Sequence, residues 1–282
     1  VKPKRPAYQL YQYASQFLSD HHIDDASIEA KHIVSHVLET DIHTILLDHD
    51  VLCDERAYKK VVQMLYRRIS GEPIQYILKS QNFCGFDFYV NAHVLIPRPE
   101  TELLVEKAIE YISANHTSSV LDLCTGSGCI GISIKKFRPK SQVCASDISR
   151  RALSIAKKNA KKLNADINYI HSNLFNQIRA SFDIIVSNPP YISHKDYKQL
   201  DAKVLDYEPE KALLGGEDGL DIIKRIIAES IYYLNPNGWL MLEIGYDQKQ
   251  AVSEFLNEAK FTQIQPFSDY AGFDRIMIGK KL

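Results

Sequence analysis

At 282 residues, 45% of them hydrophobic, the chain exceeds one average domain and can bury a real core. Its formal net charge of -1 and sequence pI of about 6.9 leave no global basic footprint of the kind that nucleic-acid binding carries. The five cysteines, Cys53, Cys84, Cys124, Cys129 and Cys144, are odd in number and contain no Cys-x-x-Cys pair, which argues against a disulfide framework or a zinc ribbon and fits a reducing cytosol.

No apolar run reaches membrane-spanning length. The basic start Val1 to Arg5 leads into a mixed polar segment without the apolar core of a signal peptide, so an unexported, cytoplasmic protein with no membrane partner is expected. Ala7, Leu10, Tyr11, Ala14, Phe17 and Leu18 recur at helical spacing. So do Ala30, Ile33, Val34, Val37 and Leu38, and then Tyr58, Val61, Val62, Leu65 and Ile69. The spacing predicts a helical-bundle domain over residues 1–73, with Asp24 and Asp25 starting its second helix and Gly71 and Pro73 stopping the third. So small a bundle carries no obvious active site; it reads as a substrate-docking module, with a structural cap as the alternative. His32 and His36 stand four apart, a spacing that can bind metal. Without a His-Glu-x-x-His pattern or a third ligand they read as partly buried structural histidines, and no metal is expected.

Over residues 74–96 the pattern changes. Phe83, Phe86, Phe88 and Val90, broken by Gly85 and Asn91, predict a β-hairpin connector. The next domain, 97–282, opens with Pro97-Arg98-Pro99-Glu100-Thr101-Glu102, a helix start with proline near its first position and two acids in its first turn. Arg98 has no part in such a start, and is a candidate for lining a cleft.

From Ser119 strands and helices alternate. Val120 to Leu123 is a strand, Cys124-Thr125-Gly126-Ser127-Gly128 a glycine-bearing turn, Ile130 to Phe137 a helix, and Gln142 to Ala145 a second strand. Glycines in such a turn let the backbone approach a ligand closely, and the following helix start favours an anionic group. Asp147 ends the second strand, where an acid reaches ribose hydroxyls in dinucleotide folds. Loop and acid together imply an adenosine-containing ligand. Gly126, Gly128 and Gly131 fit the Gly-x-Gly-x-x-Gly spacing, which leaves NAD possible. Asp122, just before the turn, would oppose a pyrophosphate but could pair with the ammonium of a methionine moiety, and Cys124 adjoins it. That favours S-adenosylmethionine.

Lys157, Lys158, Lys161 and Lys162 on the next helix read as a solvated face. Ile167 to Ile170 is a third strand, with Asn173 and Leu174 beyond it placed for the adenine. Phe182 to Val186 is the fourth, and it runs into Asn188-Pro189-Pro190-Tyr191. Neither proline has a backbone N–H, so this turn offers carbonyl oxygens with few competing donors, and Asn188 adds an amide oxygen. A site rich in acceptors can grip both hydrogens of an NH2 group and aim its nitrogen at an electrophile. Gly215-Gly216-Glu217-Asp218-Gly219 reads as a plain flexible turn before a helix from Leu220 to Ala228. Trp239 to Ile244 follows as a strand after the turn Asn235-Pro236-Asn237-Gly238, and Phe261 to Pro266 and Arg275 to Gly279 close the sheet. The fold class is α/β: a doubly wound, Rossmann-like sheet behind a helical bundle.

These motifs, together with Gly71-Glu72-Pro73, Glu208-Pro209, Asp221 after the glycine turn and Leu242-Glu243-Ile244-Gly245, resemble the peptide chain release factor glutamine methyltransferases over nearly the whole chain. Asn-Pro-Pro-Tyr alone is shared with adenine-specific DNA methyltransferases. The resemblance implies an S-adenosylmethionine-dependent enzyme that methylates the glutamine amide in the Gly-Gly-Gln motif of class I release factors, with the helical domain helping to hold the factor. The enzyme is expected to be a monomer that does not bind nucleic acid directly. An adenine DNA methyltransferase and a non-catalytic methyl-donor-binding module are the alternatives.

Asn188, Pro189 and Tyr191 are the expected catalytic residues. The Asn188 oxygen and the Pro189 carbonyl would accept the two amide hydrogens while Tyr191 packs on the amide plane; these residues, Pro190 and Arg98 would form the substrate site. Asp122, Cys124, Thr125, Gly126, Ser127, Gly128, Asp147, Asn173, Leu174 and Asn188 are the expected cofactor residues. Cys124 departs from the glycine usual in that family, Asn173 from an aspartate, and Phe273 from a polar residue.

Overall fold

The computed structural model describes residues 5–48, 50–112 and 117–282, apart from the side chains of residues 202 and 203; of the basic start, only Arg5 lies among them. The chain divides into two compact units, one ending at Lys79 and the other beginning at Ser80.

In the first unit a two-residue bridge pairs β1 (Arg5–Pro6) with β2 (Leu52–Cys53) beside five helices: α1 (Ala7–Asp20), α2 (Ala26–Leu38), α3 (Ile42–Leu47), α4 (Glu55–Ile69) and α5 (Ile74–Leu78). The core is the apolar stripe read from the sequence: Leu10, Ala14 and Leu18 on α1, Ala30, Ile33 and Val34 on α2, Val61 and Leu65 on α4. Arg68 clamps Glu29 with bonds of 2.6 and 2.9 Å, tying α4 to α2. Two helices exceed the three expected. Six residues are too few to show a period, so α3 is betrayed only by its cap, where the Asp41 carboxylate accepts from the His43 N–H. The helix read third, α4, ends at Ile69 before Gly71 and Pro73 as expected, but Pro73 also precedes α5, so residues 74–78 are helix where a connector was expected. His32 and His36 are exposed rather than partly buried.

The second unit begins with a hairpin, β3 (Gln81–Phe83) and β4 (Phe86–Phe88), followed by α6 (Pro99–Tyr111), β5 (Ser119–Leu123), α7 (Cys129–Phe137), β6 (Gln142–Asp147), α8 (Arg150–Leu163), β7 (Asn168–His171) and β8 (Phe182–Ser187). After α9 (His194–Tyr197), α10 (Ala202–Tyr207) and a 3-10 turn (Glu210–Ala212) come α11 (Asp221–Ser230), β9 (Leu234–Glu243), α12 (Lys249–Glu258), β10 (Thr262–Ser268) and β11 (Asp274–Lys280). The seven-stranded sheet has the order β10-β11-β9-β8-β5-β6-β7. Strands β5 to β9 are parallel, and β11 runs antiparallel to both neighbours. This is the doubly wound α/β sheet expected.

The pleat sorts the core. Leu121, Leu123, Leu240 and Leu242 point to the side of α11 and α12, while Val120, Val186, Met241 and Ile276 point to that of α6 and α7. The hairpin rings Phe83 and Phe88 are buried in the second layer, and Glu102 on α6 accepts from the Cys84 N–H at 2.7 Å. The turn at Asn235–Gly238 belongs to β9 itself; its residues bulge where the pairing with β8 jumps from Phe182–Leu234 to Ile184–Trp239. Two similar register shifts, and Pro266, interrupt β10 at the sheet edge. From β5 the chain moves outward through β6 and β7, then returns to β8 on the other side. Strand order reverses there, which opens a crevice above the carboxyl ends of β5 and β8.

Candidate active site

A cavity of about 560 Å³ fills that crevice. Of the expected residues, Arg98, Cys124, Thr125, Gly126, Ser127, Asp147, Asn173, Leu174, Asn188 and Pro190 line it. The side chains of Asp122 and Tyr191 are instead tied up behind the wall, and Gly128 and Pro189 are not among the lining residues.

Asp122 is fully buried, because alternation along β5 turns it toward α7. Its Oδ2 accepts from Thr125 Oγ1 at 2.5 Å and from the Gly131 N–H at 2.9 Å. A Cβ on Gly131 would stand 2.9 Å from that oxygen, so glycine is what lets the helix amide come so close. Oδ1 has no partner among the described residues, and burial pushes the carboxyl up to about 7. Direct pairing of Asp122 with a ligand's ammonium is therefore corrected: this side chain pins the glycine turn to the start of α7.

Across the turn, Asp147 Oδ2 accepts from the Gly126 N–H at 2.9 Å and Oδ1 from the Ser149 N–H at 2.7 Å. Burial raises its pKa while these amides oppose the rise. Each oxygen keeps a further lone pair for a ligand on the cavity side. Ile148, 52% exposed, and Leu174 add apolar surface, and Asn173 an amide, to the same wall. An acid for vicinal hydroxyls, flanked by apolar surface and one polar edge, suits an adenosyl group. Cys124 and Leu174 are held at φ of 61° and 47°, in the left-handed region.

The Asn188 turn is braced from four sides. Asn188 Nδ2 donates to Thr101 Oγ1 on α6 at 3.0 Å, which leaves Oδ1 without a donor among the described residues. The Tyr191 hydroxyl donates to Glu243 Oε1, at the end of β9, at 3.2 Å. Gln248 Nε2 donates to the Tyr191 carbonyl at 2.9 Å. From below comes the glycine turn read as a plain connection: a Cβ on Gly219 would lie 2.3 Å from the Tyr191 carbonyl, and one on Gly215 would lie 2.7 Å from that of Pro190. Backbone packs on backbone, which is why glycines stand there. Arg98 is also fixed, its Nη2 donating to Glu208 Oε1 at 2.5 Å across 110 residues of chain.

Thr101, Glu208, Glu243 and Gln248 are the residues that sequence reasoning left without a role. The first three stand inside recognisable motifs, and a carboxylate at the end of a buried strand was a signal. Gln248 gave none.

Two family models match the chain: the PrmC N-terminal domain over residues 9–78 and the methyltransferase small domain over residues 99–207, which spans the glycine turn and the Asn188 turn. A release factor glutamine methyltransferase of Buchnera aphidicola from Acyrthosiphon pisum is 38% identical over 261 residues, covering 92% of this chain and 94% of its own. That of Clostridium acetobutylicum is 36% identical, over 99% of this chain and 98% of its own. The chain belongs to the release factor glutamine methyltransferase family. Among solved structures, a methyltransferase from Pyrococcus furiosus superposes with a TM-score of 0.55 over 81% of this chain and 99% of its own, at 16% identity, a likeness of fold.

Proposed function

We propose that this protein transfers the methyl group of S-adenosylmethionine to the side-chain amide nitrogen of the glutamine in the Gly-Gly-Gln motif of class I peptide chain release factors. One observation carries the chemistry. Because the Asn188 NH2 is spent on Thr101, its Oδ1 is left as an acceptor at the cavity, and among the described residues no hydrogen bond ends on the neighbouring Pro189 carbonyl either. Two acceptors match the two hydrogens of a carboxamide. A carboxamide nitrogen is a poor nucleophile because its lone pair is delocalised, so the site must hold it in line with the methyl group. The two oxygens do so, and they stabilise the positive charge that develops on nitrogen.

The cofactor, when bound, supplies an electrophilic methyl group. Asp147 would hold its ribose hydroxyls, Ile148 and Leu174 its base, Asn173 the base's polar edge, and the turn Cys124–Ser127 its charged end. Arg98, fixed by Glu208, would orient the incoming peptide. The helical unit, which matches the family's N-terminal domain, would hold the factor. The 36–38% identity to named release factor enzymes over nearly the whole chain supports this substrate over DNA.

The test is incubation of a purified release factor with this protein and S-adenosylmethionine, followed by mass spectrometry and peptide mapping. One added methyl on the Gly-Gly-Gln glutamine is expected. A competent factor left unmodified by protein that binds the cofactor would refute the reading.

A further inference from the structure

Glu243 is the one acidic side chain at the end of β9, it is 1% exposed, and nothing in the methyl transfer calls for it. Its Oε1 receives the Tyr191 hydroxyl at 3.2 Å, while Oε2 is buried with no bond of ordinary geometry among the described residues. A buried carboxylate oxygen left so poorly partnered is expensive, and natural folds seldom keep one without a use. Thr101 is also buried; it lies beside the same carboxyl, whose pKa it holds down, and its oxygen receives the Asn188 NH2 at 3.0 Å. Asn188, Thr101, Glu243 and Tyr191 therefore form one chain of contacts running behind the wall, with the amide of Asn188 at one end and the ring of Tyr191 at the other.

Such a chain has a direction. A carboxylate can only accept, so an ionised Glu243 obliges the Thr101 and Tyr191 hydroxyls to donate toward it. With its proton committed, the Thr101 oxygen can only accept, which takes the NH2 of Asn188 and turns Oδ1 to the cavity. A neutral group at 243 can donate instead. The Thr101 proton is then free to point at Asn188, whose amide can turn over and present NH2 to the substrate's NH2, two donors face to face.

We propose that Glu243 is a positioning residue for the methyl transfer: its negative charge sets the polarity of the Asn188–Thr101–Glu243–Tyr191 chain and so keeps the acceptor oxygen of Asn188 facing the substrate amide. The inference rests on the role given to Asn188 above. Burial pushes the Glu243 carboxyl up to about 7, with Glu100 adding to the rise and Thr101, Tyr191 and Arg275 opposing it, so its charge changes near neutrality. The titratable groups facing it are Glu100 on α6, Cys129 on α7, Tyr191 in the turn and Arg275 on β11; burial raises the pKa of Cys129 and Tyr191, while for Arg275 burial lowers it but the hydrogen bond donated to Asp269 and nearby negative charge leave it raised. Because the charged form is the competent one, kcat falls as pH drops through about 7.

The experiment compares the wild type with Glu243→Gln, Thr101→Val, Thr101→Ser and Glu100→Gln, measuring release factor methylation at saturating cofactor from pH 5.5 to 9 (about 3.5 units, bracketing the carboxyl). Binding of S-adenosylhomocysteine and thermal unfolding are followed in parallel. Glu243→Gln, which can donate where the carboxylate only accepts, is expected to lower kcat at least tenfold, to change ligand affinity by less than twofold, and to lose the acid limb of the pH profile. Thr101→Val, which cuts the chain while keeping the side chain's shape, reports the same loss if the first variant fails to fold. Thr101→Ser restores the hydroxyl and recovers kcat to within about threefold, and Glu100→Gln retains the acid limb; the thresholds sit about two- to threefold above the scatter expected of surface changes. Wild-type turnover with an unchanged Glu243→Gln profile, or equal losses in the valine and serine variants, would overturn this inference alone. Absence of wild-type turnover would overturn the functional reading and this one with it.

Discussion

Replacement of Asp147 by asparagine separates cofactor binding from chemistry. Both carboxylate oxygens already accept a backbone amide, from Gly126 at 2.9 Å and Ser149 at 2.7 Å. Asparagine keeps one oxygen, so its NH2 must face one of these two donors. It also removes the charge from any bond to a ribose hydroxyl, and a hydrogen bond to a charged group contributes about 1.5–3 kcal/mol. Cofactor affinity should therefore fall roughly 10- to 150-fold. The donor conflict within the turn costs stability of about 1–3 kcal/mol besides, because one amide is left unsatisfied. Isothermal titration with S-adenosylhomocysteine measures the first effect, and denaturant unfolding the second. At saturating cofactor, kcat should stay within about threefold of wild type, since Asp147 touches neither Asn188 nor the substrate nitrogen. An analogue without ribose hydroxyls removes the ligand half of the argument, and the difference in affinity between the two proteins should shrink to what the turn's distortion alone causes. An Asp147→Asn affinity within twofold of wild type would refute the assignment of this acid to the ribose.

Three other outcomes are expected. Asn188→Ala removes one of the two acceptors and should lower kcat by about 100-fold, the loss typical of one preorganised transition-state contact, with little change in cofactor affinity; equal losses in both, read from single-turnover kinetics and titration, would mark it as a cofactor ligand instead. Asp122→Asn keeps the acceptor for Thr125 and Gly131 but cannot ionise. The native pKa of Asp122, about 7, lies above its ordinary value of 3.8, so native protein binds the extra proton between those values and loses stability as pH rises through the window. The variant should thus unfold in urea with a gain of about 1–3 kcal/mol over wild type at pH 8, falling toward zero at pH 4, whereas a gain independent of pH would contradict the buried charge. Gly219→Ala places a Cβ 2.3 Å from the Tyr191 carbonyl at a φ of 79°, and should cost about 2 kcal/mol or more in stability and lower kcat with it; unfolding and steady-state assays on one preparation would detect a variant that escapes both.

Most of the sheet was legible because its strands are apolar runs bounded by glycine, proline or asparagine, and because the three long helices of the first unit repeat an apolar stripe. What escaped was short or depended on direction. Helices α3 and α5 have six and five residues, less than two turns, so no period could emerge and only their first residues carried a signal. Asp122 was found as an important acid but aimed the wrong way: spacing along the chain locates a residue, while the pleat of β5 decides which face it serves. The glycine turn at 215–219 was visible as a turn, yet its purpose depends on lying under a turn some 25 residues upstream, a contact that only the fold creates. Thr101, Glu243 and Gln248 are similar. Each lies on a different element, and they converge on the Asn188 turn only after α6, β8, β9 and the start of α12 are packed together.

The interrupted β10 bears on how this protein meets others. Sheets end in rows of unpaired amides and carbonyls that can recruit a strand from another chain, and a protein whose substrate is another protein encounters such chains constantly. At one margin, β10 presents Pro266 and two register shifts; at the other, β7 has only four residues. Neither margin offers a long, regular template. Selectivity for a single glutamine is thereby protected from a cruder form of association, in which any extended peptide could zip onto the sheet and be held far from the crevice where its side chain could react.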